Sequence, residues 1–310
     1  MKKLIALLIF ILLQPAVTGA KAMDHHARLS NKQGEPDSAA WHKGAVRAEI
    51  HGQGPIPLIF IPGLASGAWA WDDMVRRFSI THKVYALTLA GFSGLPSQPS
   101  PIIDKVVRDI RRLIREEKLE RPVLIGHSLG AFIAYRIGVD APEEIGGVIA
   151  LDGFPVFSKL ADADAAERQA AAEKLANELG RNKTPETFKA AMHNFLSTRI
   201  TDPAKVDAIT ERVIVSDPAA VAQYVMEMLP VDLRPQLHLL KAPVLAVVAT
   251  NSYKNGLPDA DIRAFYAHML QAIPDVEITL IHDARHFVAV DQPDKVAEAI
   301  EKFLNARFQF

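Results

Sequence analysis

A serine flanked by two glycines stands where a short apolar run meets a helical pattern. The stretch Val123–Ala131 reads V-L-I-G-H-S-L-G-A, and Ser128 is the centre of a G-x-S-x-G pattern. A strand-to-helix turn of this kind exposes the serine hydroxyl, and Gly126 and Gly130 stand where a side chain would clash. The N–H groups of the following helix favour negative charge beside the serine. The pattern indicates a nucleophile that attacks a carbonyl group, with an ordinary glycine-rich turn as the alternative.

A histidine near the end of the chain could serve as the base for this serine. His286 follows a predicted strand and precedes the last predicted helix. A base in this position would accept the Ser128 proton and later deliver a proton to the leaving group. Its second ring nitrogen needs an acceptor, and Asp152 is available at the end of the apolar run 147–151. Capping of the following turn is the alternative role for Asp152.

Apolar runs and amphipathic stretches alternate along most of the chain, and these three residues fall at the ends of predicted strands. Strands are predicted at 45–50, 57–61, 83–89, 123–125, 147–151, 244–249 and 277–281. Between residues 154 and 240 the sequence predicts no strand, and helical segments dominate. This order predicts an α/β fold: a mostly parallel, doubly wound sheet with helices on both faces and an inserted all-helical cap. Functional residues of such sheets collect at the carboxyl ends of the strands.

Composition limits the function classes. The chain has 310 residues, of which 49% are hydrophobic and 23% charged, and its formal net charge is -1. The balanced charge argues against nucleic acid or an anionic membrane surface as a partner. There is no cysteine, so stability must come from a hydrophobic core without disulfides. His25 and His26 are adjacent but lack further ligands at metal-binding spacing, so no metal site is expected.

The beginning of the chain is typical of an exported protein. Lys2 and Lys3 precede an apolar run that extends to Leu13, and small residues follow up to Ala22. This pattern predicts a cleaved secretory signal peptide and a periplasmic or secreted location, with no membrane span after cleavage; an uncleaved anchor is the alternative. The expected divisions are a signal peptide (1–22), a linker (23–44), a first core part (45–153), the helical cap (154–240) and a second core part (241–310).

The chain resembles the α/β-hydrolase superfamily over residues 45–153 and 240–308. The matching features are G-H-S-L-G around Ser128, the loop I-P-G-L that ends at Leu64, A-R-H-F around His286, and the order serine, acid, histidine. The resemblance implies a serine nucleophile, a histidine base, an orienting acid and a helical cap, with no metal or organic cofactor. It also implies an oxyanion hole formed by the backbone N–H groups of Leu129 and Leu64.

The acid departs from the common pattern of that superfamily. The acid usually follows the strand before the last one, yet the residues after Ala249 are T-N-S-Y-K-N, without a carboxylate. Asp152 is therefore the first choice, as in some members of the superfamily. Asp259 and Asp261 are the alternatives, although both look like residues of a helix N-terminus. Asp283 is expected to shape the loop before His286.

Aromatic residues near the expected site suggest an apolar pocket for a small acyl substrate. The candidate substrate-binding residues are Trp69, Phe92, Phe154 and Phe157, with Trp71, Met226 and Met228 as further possibilities; packing of the cap on the core explains at least half of them equally well. The leading expectation is an exported serine hydrolase that cleaves carboxylic esters through an acyl-enzyme on Ser128. The alternatives are an aminopeptidase, a C–C hydrolase or an acyltransferase on the same scaffold, and a ligand-binding protein without catalysis.

Overall fold

The computed structural model describes residues 39–180, 184–252 and 256–308. The predicted signal peptide and residues 23–38 of the predicted linker lie outside this part. The described residues form an eight-stranded sheet in the order β1-β2-β4-β3-β5-β6-β7-β8. Its strands are β1 Ala39–Lys43, β2 Val46–His51, β3 Pro57–Ile61, β4 Lys83–Leu89, β5 Val123–His127, β6 Gly147–Leu151, β7 Val244–Ala249 and β8 Val276–Ile281. Strands β1, β2 and β4 pair antiparallel and all other neighbours pair parallel, as the alternation of strands and helices predicts.

Helices cover both faces of the sheet. They are α1 Asp72–Phe78, α2 Ile102–Glu116, α3 Leu129–Asp140, α4 Ala165–Gly180, α5 Pro185–Ser197, α6 Pro203–Val213, α7 Pro218–Met228, α8 Asp259–Leu270, α9 Val288–Asp291 and α10 Pro293–Arg307. Side chains of α2, α3 and α8 share a core with one face of the strands, and side chains of α1 and α10 share a core with the other. No helix among the described residues is long and apolar enough to cross a membrane. The predicted doubly wound α/β architecture is confirmed.

The inserted segment between β6 and β7 is helical, as predicted. Helices α5, α6 and α7 each begin with a proline preceded by Thr184, Asp202 or Asp217, whose side chain accepts a backbone N–H of the first turn. These are the start signals that polar N-cap residues and proline provide. Outside the named strands, the described residues contain one isolated β-bridge, between Val156 and Asp232. We call the segment with α4 to α7 the cap.

The predicted boundary of the linker is wrong at its carboxyl end. Residues 39–43 form β1, which pairs with β2 through a tight turn at Gly44, where φ is 54°. The Ala45 N–H donates to the buried Asp109 carboxylate at 2.8 Å, and the Trp41 indole N–H donates to Glu116 at 3.0 Å. These contacts with α2 hold β1 in place. The strand is short and lies in a polar stretch, so the local sequence pattern does not predict it.

Candidate active site

The turn between β5 and α3 forces Ser128 into an unfavourable backbone conformation. Its φ is 53° and its ψ is -113°, a region that L-residues rarely occupy. A Cβ atom on Gly126 would lie 2.3 Å from the Gly130 carbonyl group, and one on Gly130 would lie 2.1 Å from the Ile61 oxygen. Both glycines are therefore required for the close approach of strand and helix, and the Ser128 side chain is only partly buried at the tip.

Ser128, His286 and Asp152 form a continuous hydrogen-bonded chain. The Ser128 Oγ lies 3.0 Å from His286 Nε2, and His286 Nδ1 lies 2.8 Å from Asp152 Oδ2. Because an ionised carboxylate only accepts, the proton of a neutral His286 lies on Nδ1 and its Nε2 lone pair faces the serine hydroxyl. This is the geometry by which a histidine can remove a proton from serine.

Asp152 is buried, with 7% of its surface exposed, and it is held by more than His286. Its Oδ1 accepts the Ala249 N–H and the Tyr266 hydroxyl, each at 3.2 Å, and its Oδ2 accepts the Ser252 hydroxyl at 3.1 Å. Its φ of 44° also lies in the left-handed region. Neither Ser252 nor Tyr266 carries a local sequence signal that marks it as a partner of this acid, although Ser252 lies in the segment where the acid common in the superfamily is missing.

The alternative acids lie elsewhere. Asp259 contacts His282 at 3.3 Å, and both Asp259 and Asp261 lie in the first turn of α8. Asp283 lies in the loop before His286, exposed and with a φ of 59°. Neither Asp259 nor Asp261 joins the hydrogen-bonded chain of Ser128.

His127 connects three parts of the site. Its Nε2–H donates to the carbonyl oxygen of His286 at 2.8 Å, and its ring lies 4.9 Å from the His286 ring. A Cβ on Gly63 would lie 2.8 Å from His127 Nδ1, so the loop after β3 also packs on this ring. Burial, and then the nearby charge that His286 would carry, lower the pKa of His127 to about 3. His127 is therefore neutral near pH 7 and supports the His286 backbone.

The two backbone donors expected for an oxyanion hole lie in suitable segments. Leu129 is the first residue of α3, and the first N–H groups of a helix have no intrahelical acceptor. Leu64 lies in the turn after β3, where the Ser66 N–H closes the turn on Gly63 O at 3.1 Å. The side chain of Leu64 packs against the cap.

The predicted pocket residues divide into two groups. Trp69 is partly buried, its indole N–H donates to Ser93 Oγ at 2.9 Å, and the Arg212 guanidinium lies 4.6 Å from its ring centre. Phe154 follows Asp152 closely in the chain and is partly buried, with its ring 4.4 Å from that of Tyr266. Phe157 lies partly buried in a small apolar cluster of the cap.

Three of the aromatic and apolar candidates are better explained by packing. Phe92 is fully buried, with its ring 4.6 Å from that of Tyr224 on the cap, so it offers no surface to a substrate. Trp71 is buried against Phe60 on the face of the sheet that α1 and α10 cover. Met228 packs against both the main core and the cap cluster.

The corner between α5 and α6 is bonded to the loop that carries His286. The Phe287 N–H donates to the Arg199 carbonyl oxygen at 3.0 Å. The Arg285 guanidinium donates to the carbonyl oxygens of Ser197 and Ile200 at 3.1 and 3.0 Å. The cap therefore reaches directly to the candidate base. In the described part of the chain, no group of three or more histidine, aspartate and glutamate side chains is placed to hold a metal ion.

Comparison with known proteins identifies the family. The sequence pattern of the α/β hydrolase family matches residues 58–299, so the chain belongs to that family, and it is a hydrolase. The pimeloyl-(acyl-carrier protein) methyl ester esterase of Proteus mirabilis is 25% identical over 260 residues, which cover 81% of this chain and 93% of the relative. The protein of the same name from Nitrosomonas europaea is 22% identical over 264 residues, covering 83% and 98%.

Solved structures show the same fold. A thermophilic esterase from Thermogutta terrifontis superposes with a TM-score of 0.69 at 20% identity, covering 84% of this chain and 93% of that one. A hydrolase from Pseudomonas aeruginosa superposes with a TM-score of 0.70 at 15% identity, covering 86% and 98%. The resemblance drawn from the G-H-S-L-G and A-R-H-F motifs is thereby confirmed at the level of the superfamily.

Proposed function

We propose that this hydrolase cleaves a small carboxylic ester through an acyl-enzyme on Ser128. The observation that carries the proposal is the hydrogen-bonded chain from Ser128 through His286 to Asp152. The names of its relatives support the ester as the substrate class, since two of them are methyl ester esterases and a structural neighbour is an esterase.

In the proposed reaction, Ser128 Oγ attacks the ester carbonyl carbon while its proton passes to His286 Nε2. The carbonyl oxygen becomes an oxyanion that accepts the N–H groups of Leu129 and Leu64. Asp152 stabilises the imidazolium through Nδ1. The C–O bond to the alcohol then breaks, and His286 returns the proton to the departing oxygen. A water molecule, deprotonated by His286, cleaves the acyl-enzyme in the same manner.

Hydrolysis of p-nitrophenyl esters of rising chain length tests this proposal. We expect Ser128→Ala and His286→Ala to lower kcat by several powers of ten, because the nucleophile and the base act as a unit. His238→Ala, which changes an exposed histidine, is the matched control and should keep normal turnover. Circular dichroism checks that each variant is folded. Activity of Ser128→Ala within tenfold of the unchanged protein would refute the assignment.

A fluorophosphonate probe distinguishes an enzyme from a binding protein that keeps the scaffold. We expect a covalent adduct on Ser128, found by mass spectrometry of peptides, and no adduct in Ser128→Ala. Peptide and lactone substrates assayed in parallel address the other reactions possible on this scaffold. A folded protein that gives neither an adduct nor turnover would favour ligand binding without catalysis.

We also propose that the protein is exported. The support is the sequence of residues 1–22, with its basic start, apolar run and small residues before Ala22. Mass spectrometry of the protein recovered from a bacterial periplasm should find a mature chain that begins near Lys21 or Met23. An intact N-terminus in the membrane fraction would instead indicate an anchor.

A further inference from the structure

Arg199 lies in the cap, beside the loop that carries His286. It occupies the corner between α5 and α6, and its carbonyl oxygen accepts the Phe287 N–H at 3.0 Å. The backbone of Arg199 is thus joined to the residue that follows the proposed base. This hydrogen bond holds the corner between α5 and α6 next to the loop of the proposed base.

No carboxylate in the described part of the chain balances the charge of Arg199. Several partly buried arginines, among them Arg111, Arg136, Arg168 and Arg234, lie within 4.0 Å of a carboxylate, whereas Arg47 and Arg285 have none among the described residues. Among the described residues, Arg199 has no carboxylate at that distance. Burial lowers the pKa of its guanidinium to about 10, so the surroundings oppose the charge. The guanidinium is only partly withdrawn from water, so an anionic ligand could reach it and supply the missing carboxylate partner.

The guanidinium is held with one edge free. Its Nη1 donates to Phe195 O at 2.9 Å and to Thr198 Oγ1 at 2.8 Å, and its Cζ lies 3.8 Å from the Phe195 ring centre. A guanidinium has five N–H donors, and Nη1 supplies two of them. The edge formed by Nε and Nη2 has no acceptor among the described residues, and neither nitrogen is sealed from solvent. That edge is the one that pairs with both oxygens of a carboxylate.

We propose that Arg199 is an anion-binding subsite of the active site, and that the substrate is an ester with a carboxylate remote from the scissile bond. This inference rests on the proposed ester hydrolysis at Ser128. The stacking on Phe195 and the hydrogen bonds of Nη1 fix the orientation of the guanidinium before the ligand binds. This reduces the conformational entropy that is lost on binding. Trp69 and Phe154 would contact the apolar part of the same molecule.

Matched pairs of esters test the subsite. One pair compares a p-nitrophenyl ester of a neutral acid with the ester of a dicarboxylic acid of equal length; a second pair carries the carboxylate on the alcohol part. We expect Arg199→Gln to lower kcat/KM about 10- to 100-fold for the anionic member of one pair and less than about threefold for the neutral members. For the anionic ester, Arg199→Lys should lower kcat/KM less than Arg199→Gln does. Lysine keeps the positive charge, but it cannot form the paired hydrogen bonds of a guanidinium. The control is Arg307→Gln, on the surface of α10, which should change neither.

These experiments distinguish a failure of the Arg199 subsite from a failure of the proposed ester hydrolysis at Ser128. If the unchanged protein hydrolyses neutral esters and Arg199→Gln affects all esters equally, the subsite is refuted and the ester hydrolase stands. If no ester is hydrolysed, calorimetry with Ser128→Ala still decides. Tighter binding of a dicarboxylic acid than of the monoacid, lost in Ser128→Ala with Arg199→Gln, supports the subsite, and equal binding of the two acids overturns it. A lower unfolding temperature of Arg199→Gln, with no preference between anionic and neutral esters, would assign Arg199 a structural role instead.

Discussion

At the scale of single residues, Asp152 derives its proposed role from its surroundings. Donors from β7, from the segment after it and from α8 converge on the same carboxylate that faces His286. Three of these donors do not take part in the proposed proton transfer. They compensate for the burial of the negative charge and fix the direction in which Oδ2 points.

We predict that Asp152→Asn loses catalysis while Asp259→Asn and Asp261→Asn keep it. An asparagine at 152 can donate to Nδ1 and so favours the tautomer in which Nε2 cannot accept the serine proton; such a change lowers kcat on the order of 10⁴-fold. Asp259 and Asp261 lie at the start of α8, away from His286. Steady-state kinetics of the three variants on one ester provides the comparison. A collapse of turnover in either control, beside a nearly normal Asp152→Asn, would reassign the acid.

We predict that Ser252→Ala and Tyr266→Phe each lower kcat about tenfold with little change in KM. Each variant removes one hydrogen bond to a charged acceptor, worth about 1.5–3 kcal/mol, from the group that orients His286 rather than from the substrate. Tyr135→Phe is the matched control, because the buried Tyr135 hydroxyl has no hydrogen-bond partner among the described residues. A rise in KM with unchanged kcat would place Ser252 or Tyr266 in the substrate pocket instead.

Local signals in the sequence predict the turn that carries Ser128 but not the hydrogen-bond partners of Asp152. Gly126 and Gly130 sit within two positions of Ser128, so short-range steric requirements determine them. Ser252 and Tyr266 lie 100 and 114 positions from Asp152, and only the packed sheet brings them together. Phe92 shows the same limit, because its burial depends on Tyr224 of the cap.

At the scale of helices and strands, a carboxylate from the cap binds the start of a core helix. Glu227 of α7 accepts the N–H groups of Ile102 and Ile103, the first residues of α2, each at 2.8 Å. The Ser100 hydroxyl donates to the same carboxylate at 2.7 Å. Burial alone would raise the pKa of Glu227, but these hydrogen bonds lower it below the usual range. The negative charge also suits the positive end of the helix dipole.

We predict that Glu227→Ala lowers the unfolding free energy by about 1 kcal/mol at pH 7, as loss of a helix cap does. The carboxyl pKa is lower in the folded state, so this contribution is complete above the unfolded value near 4.5 and is lost as the pH falls through the folded value. Urea unfolding at pH 7 and at acid pH measures it, with exposed Glu298→Ala as control. An equal difference between the two proteins at both pH values would contradict the ionised carboxylate as the cause.

Helix starts in the cap are easier to predict than the edge of the sheet. Proline after Thr184, Asp202 or Asp217 marks three helices locally. Strand β1 has no comparable signal, since its formation depends on pairing with β2 and on the contact of Trp41 with Glu116 of α2. Edge strands of this kind are specified by partners distant in sequence.

At the scale of the whole molecule, the proposed base is supported from the core and from the cap. His127 binds the His286 carbonyl from the core, and Arg199 binds the next N–H from the cap. The first is donated by the His127 side chain and the second joins two backbone groups, and both are made to backbone groups adjacent to the His286 side chain. Movement of the cap would therefore change the position of His286 as well as access to Ser128.

The neutral His127 at this junction should make the stability of the molecule depend on pH. Its pKa is about 3 in the folded protein against 6.5 in an exposed histidine. Between these values the unfolded chain binds one more proton, so stability falls as the pH falls, by about 1.4 kcal/mol per pH unit at most. We expect His127→Gln, which keeps a neutral donor for His286 O, to remove about 2 kcal/mol of the loss between pH 7 and pH 5. Urea unfolding of both proteins at several pH values measures the difference. Burial also lowers the pKa of His82, but both proteins contain His82, so its contribution cancels in the difference. Parallel curves for the two proteins over this range would mean that His127 can be protonated inside the fold.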